Sequence, residues 1–311
     1  MYFDKIIGQS FAKKYITNSI RNNRISHAYM FNGIEGIGKL DFTREFCKIL
    51  LNTQDLSNSP DYIEIKPDGN SVKIAQIRKL QSEIIIKPHK EYKIYIIEDS
   101  HKMTVEAQNA LLKTLEEPPK YAIIILITSN KDILLDTIKS RCEIIKFLPI
   151  PIVEMTEYLE RKGIQESRAR LISTFSRGSV KIANELAESQ EFFNMREDVE
   201  NYINTIAEAN IVEILNKIND IEKYRDNIVE LLDITSNYFR DIMIYKEKLD
   251  KSMIINGDRM TFIQNMNKKI TYSQSSKIID IIDSTKRKLK SNCNFNISIQ
   301  VMTLNIYEVI K

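Results

Sequence analysis

The sequence predicts an α/β fold with a parallel sheet in its first half and an all-helical second half. Three observations predict it. Short apolar strand patterns alternate with amphipathic helical patterns up to about residue 147. Three of the 8 glycines fall between positions 33 and 38, where a strand pattern gives way to a helical one. Past Pro149-Ile150-Pro151 the strand signal almost vanishes and long helical periods take over.

In chain order, the first strand pattern is Ala28 to Phe31, followed by the glycine cluster and a helical pattern from about Lys39 to Leu51. Four more strand patterns follow, rich in Ile: Tyr62 to Ile65, Ile94 to Ile97, Ala122 to Thr128 and Glu143 to Phe147. Helical patterns lie between them, notably Ile74 to Ile84 and Thr104 to Glu117. Strands separated by helices pair in parallel, because each helix carries the chain back across the sheet. Ala122 to Ile127 is apolar throughout, as a strand covered on both faces must be. In Thr104 to Glu117, the residues Ala107, Ala110, Leu111, Thr114 and Leu115 share one face, and Pro118-Pro119 ends the helix. The change of pattern sets three expected domains: 1–149 α/β, 150–190 small and helical, and 191–311 all-helical.

The composition narrows the function classes. At 311 residues, 43% apolar and 28% charged, the chain has room for two or three domains. It contains no apolar run of about eighteen residues, so no membrane partner is expected. Its start, with Asp4 and no apolar core, does not read as a secretory signal. Cys47, Cys142 and Cys293 are odd in number and far apart, which suits neither a disulfide framework nor a metal cage. A cytoplasmic location and no metal site are therefore expected. Forty-five basic residues against 42 acidic ones speak against a free-standing nucleic-acid binder. The densest basic run, Ser284 to Lys290, suits either phosphate contacts or the solvated end of a helix. His27 and His101 have no constellation around them in the sequence that would make them ligands.

Gly33-Ile34-Glu35-Gly36-Ile37-Gly38-Lys39 has the spacing and the strand-to-helix context of a phosphate-binding loop. Glycines let the backbone N–H groups turn toward phosphate oxygens, the helix N-terminus adds a positive dipole end, and Lys39 adds a charge. The next residue breaks the pattern. A P-loop ATPase needs a hydroxyl there to ligate Mg²⁺, and Leu40 offers an isobutyl group. At the end of the strand Ile94 to Ile97 stand Glu98 and Asp99, where the usual order is Asp, then the Glu that activates water. The reversed order shortens the would-be base by one methylene, and a misplacement of ~1 Å can lower a rate ~100-fold. Both departures point toward weak or absent hydrolysis. Nucleotide binding through the loop and Lys39 stays open, and no cofactor is required.

These segments, with His27-Ala28-Tyr29-Met30-Phe31, the run Ala107-Gln108-Asn109-Ala110-Leu111-Leu112-Lys113-Thr114-Leu115-Glu116-Glu117-Pro118-Pro119 and Ser140-Arg141-Cys142, resemble the bacterial clamp-loader AAA+ family over residues 1 to about 188. The resemblance implies a RecA-like P-loop domain, a helical lid over 150–190 and a helical oligomerisation collar over 191–311. It implies that Arg141 is an arginine finger acting on a neighbour's nucleotide, which suits a guanidinium fork facing a γ-phosphate. It places Asn130, or Ser129 beside it, where a sensor reads phosphate, and Lys181 where an active member carries a second-sensor arginine. The implied partners are ATPase subunits of the tau and gamma type, a delta-type subunit, and the sliding clamp and primer-template DNA through the complex. The hydrolysing members carry Ser or Thr at the position of Leu40, so this chain resembles a member that completes the ring without turning over ATP. They also usually carry four zinc-binding cysteines; here Cys47 to Pro60 holds a single cysteine, and one thiolate cannot make a tetrahedral zinc site. Two other readings remain at this stage: an ATP-hydrolysing subunit of the same architecture, and a stand-alone nucleic-acid-binding module on the same fold. Hydrolysis by the isolated chain would favour the first, and tight DNA binding by the monomer the second.

Overall fold

The computed structural model describes residues 2–208, 213–214, 221–250 and 253–311. Its first half is built on five strands, β1 (Ala28–Asn32), β2 (Tyr62–Ile65), β3 (Lys93–Ile97), β4 (Ala122–Thr128) and β5 (Glu143–Lys146). They form one sheet in the order β2-β3-β4-β1-β5, and every pairing is parallel. All seven residues of β4 are buried, as its uninterrupted apolar run requires.

The alternation of side chains along β1 explains how the sheet is covered. Tyr29 and Phe31 point into one core with Ile94, Ile96, Ile123 and Ile125, closed by α1 (Ser10–Arg21) and α2 (Lys39–Leu50) through Ile16, Phe42 and Phe46. Ala28 and Met30 point into the other with Tyr95, Ile97, Ile124 and Leu126. That face is closed by α3 (Ile74–Ile84), α4 (Val105–Glu116) and the short α5 (Asp136–Lys139), through Ile77, Leu111, Leu115 and Ile138. A two-residue period in the strands thus feeds two cores, which makes three layers. Helix α4 begins at Thr104, whose hydroxyl accepts from the Ala107 N–H. It stops before Pro118-Pro119, as the sequence implies.

By packing, the chain divides into two units, Met1–Lys162 with Phe175–Asn184, and Gly163–Thr174 with Glu185–Lys311. The division runs through the 150–190 segment. Gly178 lies tight against Pro149 and Ile150 (a Cβ there would stand 2.6 Å from the Ile150 nitrogen), and its carbonyl accepts from the Ile150 N–H at 3.0 Å. This anchors the chain after residue 175 to the end of the sheet unit. The second unit is helical among the described residues. Ile228–Lys246 packs against Tyr272–Lys290, Met260–Lys269 and Gln190–Glu208, and Phe295–Ile310 covers Tyr272–Lys290 and Gln190–Glu208. Positions 209–212, 215–220 and 251–252 of the expected domain over 191–311 lie outside the described residues. The basic run Ser284 to Lys290 is the C-terminal end of Tyr272–Lys290, where cations suit the helix dipole; Lys286 is mostly buried and pairs with Asp233 at 2.8 Å. None of the described helices is long and apolar enough to cross a membrane.

Candidate nucleotide site and the Arg141 corner

The glycine loop leaves the C-terminal end of β1 beside its neighbours β4 and β5, where parallel sheets place ligands. Gly36 (φ 75°) and Gly38 (φ 87°) take the left-handed backbone that a tight loop needs, and Gly38 caps α2. Gly33 donates to the Thr128 carbonyl at 3.1 Å and lies so close to Phe147 that a Cβ would stand 2.5 Å from the Phe147 oxygen. Lys39 is 7% exposed, and its ammonium is turned onto the loop itself, donating to the Gly33 and Ile34 carbonyls at 2.6 and 2.7 Å. Burial lowers its pKa to about 8, partly opposed by the charges of Asp99 and Glu35.

The start of the helix Val180–Glu188 presses on this loop. The Lys181 N–H donates to the Gly36 carbonyl at 3.0 Å, and the Lys181 ammonium meets Glu35 at 3.1 Å. Gly36 is the contact point: a Cβ there would lie 2.3 Å from the Ser179 hydroxyl and 2.8 Å from the Lys181 Cβ. Gly36→Ala therefore meets both a left-handed backbone, which costs an L-residue roughly 1–2 kcal/mol, and a steric clash. Thermal or urea unfolding should show the variant less stable by at least that amount; an unchanged midpoint would contradict the packed loop.

Behind the loop, β3 ends in Glu98 and Asp99, and the two acids part company. Asp99 has a left-handed backbone (φ 46°) and pairs with Lys102 at 2.8 Å. Glu98 is held by Lys66, whose ammonium lies 3.4 Å from both Glu98 and Glu64. Glu64 in turn receives Arg44 of α2 at 2.9 Å and the Tyr62 hydroxyl. Burial raises the pKa of Glu98, with the Lys66 charge opposing it; beside the two carboxylates, Glu98 first, the pKa of Lys66 is raised. Register explains the meeting: Ile65 pairs with Ile97, and the Glu98 N–H donates to the Ile65 carbonyl, so the next residues of β2 and β3 stand side by side.

A cavity of about 450 Å³ brings together Gly36, Gly38, Lys39, Leu40, Glu98, Asp99 and Lys181 among the expected site residues. A second hollow of about 300 Å³ shares Gly38, Asp41 and Val180 with it and is lined besides by Ile6, Ile7, Ile37, Tyr158, Lys5 and Arg44. Leu40 packs against the Phe42–Phe46 core rather than presenting a ligand. Asn130 is elsewhere: its side-chain oxygen caps the turn after β4 by accepting from the Asp132 N–H at 3.0 Å. Its neighbour Ser129 instead contacts the His101 ring, with hydroxyl to Nε2 at 3.3 Å. Arg141 is also away from the cavity, at a corner between the ends of α4 and α5. There its guanidinium meets Glu116 at 2.7 Å and the Thr137 carbonyl at 2.9 Å. Lys66, Glu64 and Tyr158 were not singled out by the sequence, and Glu116 and Ser179 stood only within segments that carry the resemblance, with no role given to them. The one signal for Lys66 is the Glu64-x-Lys66 spacing at a strand end.

The sheet order, the loop after β1 and the acids after β3 define a P-loop protein of the AAA+ class. Residues 8–151 match the family described as DNA polymerase III, delta subunit, and residues 190–306 match its C-terminal counterpart. DNA polymerase III subunit delta' of Bacillus subtilis is 30% identical over 95% of both chains. DNA polymerase III subunit tau of the same organism is 25% identical over 98% of this chain and 61% of its own length. A solved gamma subunit-related protein of Thermotoga maritima aligns over 95% of this chain and 99% of that one, at 20% identity and a TM-score of 0.45. The chain belongs to the DNA polymerase III delta' family and is a subunit of the clamp loader.

Proposed function

We propose that this chain turns over no ATP of its own and supplies Arg141 in trans to a neighbouring clamp-loader ATPase subunit of the tau or gamma type. The observation that carries the first half is the state of its own metal position. Where a hydroxyl and a free carboxylate would hold Mg²⁺, the chain has the Leu40 isobutyl group, which lines the cavity and packs against the core without offering an oxygen, and the Lys66 ammonium paired with Glu98. A resident ammonium against the carboxylate opposes a second cation at the same place. The family relationship and the part-exposed Arg141 in the Ser140-Arg141-Cys142 corner support the second half. In this reading the loader, with a delta-type subunit, opens the sliding clamp and sets it on primer-template DNA in the cytoplasm. The helical second unit holds the oligomer together, Lys181 keeps a sensor's place at the cavity but pairs with Glu35, and Asn130 serves a local cap instead. No bound nucleotide is required for the role, since Lys39 is satisfied by the loop's own carbonyls.

The test is steady-state ATP hydrolysis by the isolated chain. It should show no Mg²⁺-stimulated turnover, and Leu40→Thr alone should not restore it, because Lys66 still occupies Glu98. Turnover by the wild-type chain that disappears with Lys39→Ala would overturn the reading. Turnover by Leu40→Thr would show that the Lys66–Glu98 pair is no barrier to the metal.

A further inference from the structure

Arg141 does not stand free at its corner. Its Nη2 lies 2.7 Å from Glu116 Oε1, and its Nη1 donates to the Thr137 carbonyl at 2.9 Å and reaches the Ser140 hydroxyl at 3.5 Å. Resting on the arginine-donor reading above, we propose that Glu116 is a positioning residue for Arg141. It fixes one edge of the guanidinium so that the remaining N–H groups are presented in a set plane to the polyphosphate of the neighbouring subunit.

The energetics say what the pair is for. The Arg141 and Glu116 side chains are 34% and 47% exposed, and an ion pair that open contributes little to folding. Its consequence is therefore geometric. Two anchors on two different nitrogens fix both the position and the tilt of a planar group, which one anchor would leave free to swing. A guanidinium carries five N–H donors, so anchoring on Glu116 and Thr137 leaves donors for a phosphate. A long side chain without such anchors must be ordered during the reaction, and a displacement of ~1 Å can lower a rate ~100-fold.

Both anchors are themselves well founded. Glu116 is the last residue of α4, set by the buried Leu111 and Leu115 and by the stop at Pro118-Pro119. Thr137 lies in α5, which is pinned by the fully buried Ile138. Helix α4 packs against α5, so the carboxylate and the carbonyl keep their separation. The adjoining Cys142 is largely buried and its thiol is pushed up to about 12, so it anchors the turn and adds no charge to the corner.

The experiment uses the assembled loader with wild-type chain, Glu116→Ala, Glu116→Gln, Arg141→Ala and the Glu116→Ala/Arg141→Ala double variant, each complex confirmed by size. Clamp- and DNA-stimulated ATP hydrolysis is measured against ATP concentration. Glu116→Ala should lower kcat about tenfold with little change in KM, the signature of an interaction used in the transition state. Glu116→Gln, which keeps an acceptor oxygen, should recover most of the rate. In the Arg141→Ala background, Glu116→Ala should have no further effect. A wild-type rate for Glu116→Ala beside a fall for Arg141→Ala would overturn the positioning role and leave the donor role standing. An equal loss from Glu116→Ala in both backgrounds would make Glu116 structural. A wild-type rate for Arg141→Ala would remove the donor reading first and this proposal with it.

Discussion

Replacing Arg141 with alanine should lower clamp- and DNA-stimulated ATP hydrolysis by the assembled loader about tenfold or more, while the complex still forms. An arginine offered in trans contributes about a thousandfold or more to phosphoryl transfer at the site it serves. A fall of about tenfold or more is read in the bulk rate because turnover at this site limits the loading cycle in this account. The structure makes the substitution a clean one. Arg141 is part-exposed, its partners are one surface carboxylate and one helix-end carbonyl, and the neighbouring Ile138 and Cys142 carry the packing of the turn. Loss of folding is therefore not expected. A variant with the wild-type rate would leave Arg141 as an ordinary surface partner of Glu116.

The second large effect concerns the helical unit. Arg196 is 1% exposed and makes a two-armed contact with Asp258, each arm 2.9 Å, while Nη2 also donates to the Asn256 side chain at 3.0 Å. Asn256 and Ile255 in turn donate to the fully buried Asp241 through their N–H groups at 2.8 and 3.0 Å. The network ties the helices Gln190–Glu208 and Ile228–Lys246 to the 254–259 segment. Arg196→Ala removes a fully buried guanidinium, leaving the buried Asn256 side chain without its donor while Asp258, which reaches solvent, can turn to water; losing such charge-assisted hydrogen bonds typically costs about 1.5–3 kcal/mol. Urea unfolding of the isolated chain should show a loss of that order. A loss under about 1 kcal/mol would mean that water replaces the guanidinium without penalty.

Much of the sheet unit was legible because its signals are local. The unbroken apolar run of β4 announces a central strand, and the strand order then places β1 between β4 and β5, with the glycine loop at its end. The loop was legible for the same reason: strand, glycines, lysine and helix are adjacent in sequence. What was not legible depends on register and on backbone direction. Lys66 and Glu98 are far apart in the chain and meet only because Ile65 pairs with Ile97. Glu98 and Asp99 read as one acidic pair, but the left-handed backbone at Asp99 turns them to different partners. Asn130 follows the central strand as a sensor would, yet its side chain is taken by a local cap, the commonest use of Asn at such a turn.

The same reasoning explains why the 150–190 segment divides. Its helical periods are visible, but Gly36 against Ser179 and Gly178 against Ile150 are contacts between distant positions, and they draw residues 175–184 onto the sheet unit. The Arg196–Asp258 pair spans 62 positions and lies in a region with no motif, so nothing in the sequence distinguishes Arg196 from a solvated arginine.

The claim that this chain gives an arginine rather than using a nucleotide is tested most directly by two loaders assembled side by side. One carries Lys39→Ala and the other Arg141→Ala, with assembly of both checked by size and clamp- and DNA-stimulated hydrolysis measured on each. The account predicts a near wild-type rate with Lys39→Ala and a fall of about tenfold or more with Arg141→Ala. A loader disabled by Lys39→Ala and untouched by Arg141→Ala would contradict it, and would place the working nucleotide in this chain's own loop.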